Sequence, residues 1–409
     1  VTLLTDYQLT KAVKIRLTFL KNRKLPAAAR YAAPAGLILS IVHRNKKAII
    51  APGMTGRCSM PDRYLKNEKG CIMFFSLRLR AAAVLIGALI SPLALASQPG
   101  HFAEQQVRHI ATYFPGRMTG SPAELMAADY LQQQFTALGF KTNTRQFNTG
   151  YNWQENDGTL RWHKLTATSV IAARAGSEPQ EILIVAHLDT WTPHNSSQTN
   201  HNLGGLRLQG VDDNASGLGV MLELAQQLSQ RPLHYGVRFV ALSAGEAEMH
   251  GMDDYVERMS AREKKNTLLV IDLNSLITGD HLYFNSGMNT PRAVRKQTSE
   301  RALLLARQHG ISAASHQLNR KDVDGLNAFD KAGFPLLDVT ASNWTLGNQD
   351  GAQQRHRSSH FPEGTTRHQT DRDNLSYLDR WLPGRITVRT RDSVNVLLPL
   401  LSELTNPKV

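Results

Sequence analysis

The sequence predicts an α/β fold with three layers, helices on both faces of a mainly parallel central sheet. Three observations carry this expectation. Short apolar runs such as Ile182–Val185, Val237–Ser243 and Leu336–Val339 have strand length and the continuous apolar character of strands buried on both faces. Segments with apolar residues at helical spacing lie between them, Leu218–Leu228 most clearly. Helix-start signals punctuate the chain, as at Ser121-Pro122-Ala123-Glu124, a capping box with Pro at the first helical position. Strands alternating with helices argue for parallel pairing, because a parallel connection needs a crossover.

In chain order, residues 101–113 read as a helix, and 122–138 as a second that Gly139 stops. Strands are predicted at 141–148 and 167–174, then the buried strand ending at His187. Residues 190–210, rich in Asn, Thr, Gly and His, read as a long polar loop. The 218–228 helix, the 237–243 strand, a polar turn 245–251 and a helix to Met259 follow. Residues 267–276 read as a strand, 291–309 as a helix and 336–339 as a strand. The polar stretch 344–374 reads as loop, and an amphipathic helix over 388–404 closes the fold. Trp344 and Phe334 fit core positions as well as a pocket wall.

The formal charge of +13 over 409 residues points to an anionic partner only while the chain is taken whole. Residues 1–72 carry 14 Lys and Arg against three acidic side chains, whereas 97–409 carries 31 of each sign. Between them, Met73 opens a basic head, an apolar run Ala81–Ala96 and an Ala94-Leu95-Ala96 site, the plan of a secretory signal peptide. The run has 16 residues, fewer than the roughly 20 that span a membrane. The expected organisation is therefore a basic, disordered upstream extension over 1–72, a signal peptide over 73–96, and one large α/β domain over 97–409. A periplasmic or secreted location follows, with no nucleic-acid partner and no stable membrane association after cleavage. Both cysteines, Cys58 and Cys71, fall upstream, so the domain needs no disulfide.

Two motifs carry chemistry. Ala186-His187-Leu188-Asp189-Thr190 closes a strand, and Gly210-Val211-Asp212-Asp213-Asn214-Ala215-Ser216-Gly217 opens a helix. In an open α/β sheet, ligands bind at such strand ends. Imidazole and carboxylates without thiolate suit a catalytic zinc site, so a metallohydrolase is predicted. Asp212, Asp213 and Asn214 also suit helix capping, and one residue can cap while another binds metal.

Taken in order, the His-x-Asp run, Asp-Asp-Asn-Ala-Ser-Gly, Glu246 after a strand and the late His368 resemble the co-catalytic di-zinc aminopeptidases. The resemblance spans 100–405 and implies the zinc exopeptidase fold, α/β/α with a mainly parallel, mixed sheet. It implies zinc, two ions in the family, with one as the alternative, and a peptide or protein N-terminus, a basic one such as Arg included, as substrate. On it, His187 binds one ion, Asp213 bridges, Glu246 and His368 complete the second site, and Asp189 steadies His187.

Two positions depart from that pattern. The family's general-base Glu falls on Gly245, and a ligand Asp falls on Asn274. Asp272 is the replacement ligand nearest in sequence, although one step of a strand face separates the two by about 6.5–7 Å. Glu248 is the replacement base, and His250 a further ligand. Glu248 and Asp324 are acidic partners for a basic substrate residue. Asp371 and Asp373 read as loop or helix-start residues. A zinc aminopeptidase, and a catalytically impaired relative that binds peptides in the same cleft, are the two functions left open.

Overall fold

A computed structural model describes residues 98–407, apart from 204, 323, 324, 326, 365 and 367–370. The upstream extension, the signal segment, Asp324 and His368 therefore lie outside the described residues. Among the described residues, eight strands form one sheet in the order β1-β2-β4-β3-β5-β8-β6-β7. Strands β3 (Glu181–His187), β4 (Gly236–Leu242), β5 (Thr267–Asn274) and β8 (Leu336–Ser342) make its parallel centre, ordered β4-β3-β5-β8. Their carboxyl ends consequently share one edge of the sheet. β1 (Lys141–Gln154) and β2 (Leu160–Arg174) add an antiparallel hairpin on one side. β6 (His281–Ser286) pairs antiparallel with β8 on the other, and the two-residue β7 (Ala313–Ala314) follows.

Strand β3 shows why the centre is buried on both faces. Ile182, Ile184 and Ala186 point into one apolar cluster, and Leu183 and Val185 into another. The first is covered by α1 (His101–Tyr113), α2 (Pro122–Ala137) and the long helices introduced below. The second is covered largely by Met252, Tyr255, Val256, Phe329 and Phe334. Side chains that alternate about the pleat thus find apolar partners either way, so the strand reads as one unbroken apolar run.

After α3 (Ser196–Asn202) comes the 210–216 turn, then α4 (Ser216–Ser229). Glu223 of α4 accepts the Gly100 and Ala103 amides, each at 2.7 Å, and so caps α1 from a distance. α5 (His250–Arg258), α6 (Ala261–Asn266), α7 (Arg292–Gln297), α8 (Ser299–Gln308), α9 (Ala328–Lys331), α10 (Leu375–Trp381) and α11 (Arg385–Thr405) complete the set. None of the described helices is long and apolar enough to cross a membrane.

Several elements differ from the sequence expectation. The β1–β2 hairpin runs past 148 to Gln154, because Tyr151, Trp153 and Trp162 continue the ladder in a stretch without an apolar face. β6 is new; its apolar residues Leu282, Tyr283 and Phe284 sit between polar ends and give no clean period. The 291–309 helix breaks at Thr298, whose φ of −117° and ψ of −90° leave the helical region. Thr298 Oγ1 donates to Val294 O at that break. Ser121 caps α2 as expected, but Glu124 turns away from the Ser121 amide to accept Gly120 N. Trp344 packs against Tyr283 and His316 in the core.

Phe239 lies fully buried against Phe135 and Phe140, with ring centroids 5.8 and 5.5 Å away. Phe239→Ala is expected to lower unfolding free energy by about 3–5 kcal/mol, measured by chemical denaturation.

Candidate metal centre

Three ligand-type side chains converge at the carboxyl edge of the parallel strands. Ligand atoms of His187, Asp213 and Glu246 all lie within 4.8 Å of one another. His187 ends β3 and is nearly buried. Its Nδ1 sits 2.9 Å from the Asp189 carbonyl oxygen, which can only accept, so Nδ1 carries the proton. That leaves Nε2 facing the carboxylates, 3.1 Å from Asp213 Oδ1 and 3.9 Å from Glu246 Oε1. One imidazole nitrogen and two carboxylates, with no sulfur, match the donor set of a catalytic zinc site.

Burial works to lower the pKa of His187. Hydrogen bonds to Asp189 and Asp213, with the charge of Asp213 and Glu246, outweigh it and hold the imidazole well above its ordinary range. A proton therefore competes with metal for Nε2, and metal binding weakens as pH falls.

Asp189 organises this edge. Its Oδ1 accepts Gly245 N at 3.0 Å, and its Oδ2 accepts Glu246 N at 2.9 Å and Thr119 Oγ1 at 2.8 Å. One carboxylate thus fixes the turn that carries Glu246 while the same residue's carbonyl orients His187.

Asp213 is placed by its own turn. Asp373 accepts the Asp212 and Asp213 amides at 2.7 and 3.1 Å, and Asn214 Oδ1 accepts Gly217 N at 3.0 Å. Capping and metal-facing roles therefore divide between Asn214 and Asp213. Ser275 Oγ lies 3.0 Å from Asp213 Oδ1 and 3.1 Å from Asn274 Oδ1, so its single proton serves one at a time. Burial, then the charge of Asp212, pushes the Asp373 carboxyl well above the usual carboxylate range.

Arg117, fully buried, donates to the carbonyls of Leu188, Gln209 and Gly210. Burial pushes it down to about 10, against the opposing charges of Asp373, Asp189 and Asp213. It stays cationic at neutral pH and offsets the carboxylates around it. Arg117, Thr119, Ser275 and the supporting role of Asp373 were not foreseen. Arg117 and Thr119 precede the motif by about 70 residues, and only the fold brings them there.

The structure does not bring Asp272 or Glu248 into the three-residue cluster. Asp272 lies level with Val185, two residues below the His187 end of β3, and its Oδ2 accepts Asn327 Nδ2 at 2.8 Å. No register slip moves it up. Glu248 Oε1 accepts Asn152 N and Nδ2 at 3.1 and 2.9 Å, which commits that oxygen to the hairpin. His250 likewise faces the hairpin, its Nδ1 2.8 Å from Thr149 Oγ1.

Comparison with known proteins places the chain in a family. The model of peptidase family M28 matches residues 169–391. The alkaline phosphatase isozyme conversion protein of Escherichia coli K12 is 51% identical over 341 residues, which cover 81% of this chain and 99% of that one. The chain belongs to peptidase family M28. A shorter match, 35% over 81 residues, joins 19% of this chain to 18% of aminopeptidase YwaD of Bacillus subtilis. Among solved structures, the fold is similar to a zinc aminopeptidase of Bacillus subtilis, with a TM-score of 0.56, 14% identity, and coverage of 76% of this chain and 96% of that one. It is similar also to an Acidobacteriales glutaminyl cyclase, with a TM-score of 0.55, 17% identity, and coverage of 76% and 96%.

Within the M28 chain, the missing side chain at 245 is built into the packing. A Cβ on Gly245 would lie 2.5 Å from His187 Cβ and 3.3 Å from Asp189 Oδ1. The turn has closed onto the histidine in a way that leaves a glutamate no room.

Asp189→Asn is expected to weaken zinc binding about 10–100-fold with the fold retained, measured by chelator competition beside circular dichroism. Glu124 offers a second check. It is fully buried, accepts from Gly120 N, Thr168 N and Ser243 Oγ, and is pushed up to about 7 by burial. A raised folded pKa gives stability that is present below about 4.5 and lost as pH rises through 7. The stability difference between the parent protein and Glu124→Gln is expected to shift over that window, against Glu124 at the higher pH, in denaturation midpoints taken from pH 4 to 8.

Proposed function

We propose that this chain is a zinc-dependent aminopeptidase, exported to the periplasm or beyond, that removes N-terminal residues from peptides or proteins. The observation that carries the reading is the His187–Asp213–Glu246 cluster at the carboxyl edge of the parallel strands in an M28 chain. Names borne by similar proteins, an aminopeptidase and a zinc aminopeptidase, support it. Export rests on the basic head, apolar run and Ala-Leu-Ala site over 73–96.

His187 Nε2, Asp213 and Glu246 would hold the metal, with His368 as the family's further ligand. Zinc bound in such a site acidifies a water and polarises a carbonyl. The protein's own part is positional. The Asp189 carbonyl holds the His187 ring, the Asp189 carboxylate holds the Glu246 backbone, and Ser275 steadies Asp213.

Glu248 is the base in this proposal. Its Oε1 accepts from Asn152, and its Oε2 lies 3.9 Å from His250 Nε2. Glu248 lies outside the ligand cluster, so this role requires its side chain to leave Asn152 and swing toward the cluster. A preference for a basic N-terminal residue such as Arg belongs to the same reading, with Glu248 or Asp324 as its acidic partner. Glu248→Gln separates the two roles. Loss of turnover on every substrate marks a base, and loss on Arg substrates alone marks a recognition group.

A second reading keeps the cleft and loses the chemistry. Gly245 and Asn274, in place of a carboxylate base and a carboxylate ligand, favour a peptide-binding member of the family. Removing a general base costs about 10²–10⁴-fold in rate, which is the size of defect the two readings must decide between.

The purified protein, loaded with zinc, is assayed against aminoacyl anilides, Arg included, and their N-acetylated forms. Turnover of the free-amino substrates only is the expected result. Equal cleavage of acetylated substrates would exclude an aminopeptidase, and stoichiometric zinc without turnover would establish the binding reading.

A further inference from the structure

Three arginines gather behind the metal turn without a carboxylate ion-pair partner among the described residues. Arg385 Nη1 and Arg389 Nη2 donate to the same oxygen, Gly279 O, at 2.9 and 2.8 Å, so the two nitrogens are at most 5.7 Å apart. Arg389 Nη2 also donates to Asp280 O at 2.8 Å. Arg389 is 6% exposed, yet its Nε is buried without a hydrogen-bond partner. Arg355 has two such nitrogens, Nε and Nη1, and its guanidinium lies over the Phe361 ring. Asp280 N donates to Gln354 O at 2.8 Å, which brings the backbone beside Arg355 against the loop that Arg385 and Arg389 hold.

Like charges brought together in a desolvated place repel, and these do. Burial first, then the neighbouring Arg385, pushes Arg389 down to about 10. Burial, then Arg355, lowers Arg385 as well. The nearby carboxylates are otherwise engaged. Asp280 Oδ2 accepts Asn343 Nδ2 and His356 N, and Asp392 pairs with Arg391. Both Arg385 and Arg389 lie in the first two turns of α11, which begins at Gly384 without a side-chain cap. The positive end of that long helix adds to the field of the guanidiniums.

We propose that Arg355, Arg385 and Arg389 form a binding site for a phosphate-type oxyanion, either free phosphate or a phosphoryl group on a larger molecule. Guanidinium forks match phosphate oxygens in geometry and are weakly hydrated. Three of them beside a helix start favour a dianion over a single carboxylate. The unpartnered Nε atoms of Arg355 and Arg389 are the donors such an anion would satisfy. The site touches the catalytic edge through the chain itself. Gly279 follows Thr278, whose Oγ1 donates to Asp212, the neighbour of Asp213.

The test is calorimetric titration of inorganic phosphate into the purified full chain, both zinc-loaded and chelator-treated, with Arg355→Gln and Arg385→Gln alongside. Arg355 is the less buried of the unpartnered pair, and circular dichroism checks that each variant folds. One phosphate per chain is expected, with the same affinity with and without zinc and about tenfold weaker binding in either variant, the loss of one charge-assisted hydrogen bond. The melting temperature should rise with phosphate at fixed ionic strength, and the variants should need about tenfold more phosphate for the same rise. Glycerol phosphate binding as tightly as phosphate would identify a carried phosphoryl group, and phosphate binding alone would identify the free ion. Binding that disappears with zinc but survives Arg355→Gln would place the anion at the metal and overturn the proposal. So would acetate binding as tightly as phosphate, or no saturable binding and no melting shift.

Discussion

Asp189 is the side chain on which the geometry of the metal-facing edge depends. It is fully buried, and its two oxygens accept Gly245 N, Glu246 N and Thr119 Oγ1 while its carbonyl oxygen receives His187 Nδ1. Three separate stretches of chain thereby meet at one residue: the end of β3, the turn after β4 and the segment before α2. An anion buried so deeply needs compensation. Its three donors provide part, and the buried cation Arg117 provides a share of the field. The mutual placement of His187 and Glu246 is in this sense a consequence of satisfying one carboxylate.

The rest of the sheet serves the same edge. Parallel pairing in the order β4-β3-β5-β8 puts the ends of four strands side by side. Helices on both faces bury the strands, so polar chemistry is confined to the rim where backbone donors and turns are available. There the carboxylates are crowded: Asp373 accepts from the turn that carries Asp212 and Asp213, all three are buried, and burial raises the pKa of Asp212 and Asp373. Such a site gains from a bound cation, because opposite charge relieves both the desolvation and the mutual repulsion.

Much of this was legible in residue order. The apolar run into His187, the Asp213 turn before an apolar helix and Glu246 after a buried strand each combine a local period with a breaker, and the structure brings the three together. What was not legible depends on contacts across long stretches of chain. Arg117 and Thr119 have no local sign of function, and Asp373 reads as a loop or helix-start residue in sequence, whereas in the fold it accepts the Asp212 and Asp213 amides. Asp272 was a plausible substitute by composition, but register fixes a strand residue to its level, and that level is Val185 rather than His187. The hairpin tip past Asn148 carries no strand signal in sequence because its aromatic and polar residues alternate without an apolar face.

The most direct test of the account is the location of zinc, by anomalous scattering from crystals of the zinc-loaded protein. The account predicts zinc about 2.0–2.2 Å from His187 Nε2 and from carboxylate oxygens of Asp213 and Glu246, with Asp189 outside bonding distance. Zinc held instead by Glu248 and His250, or absent from His187, would contradict it.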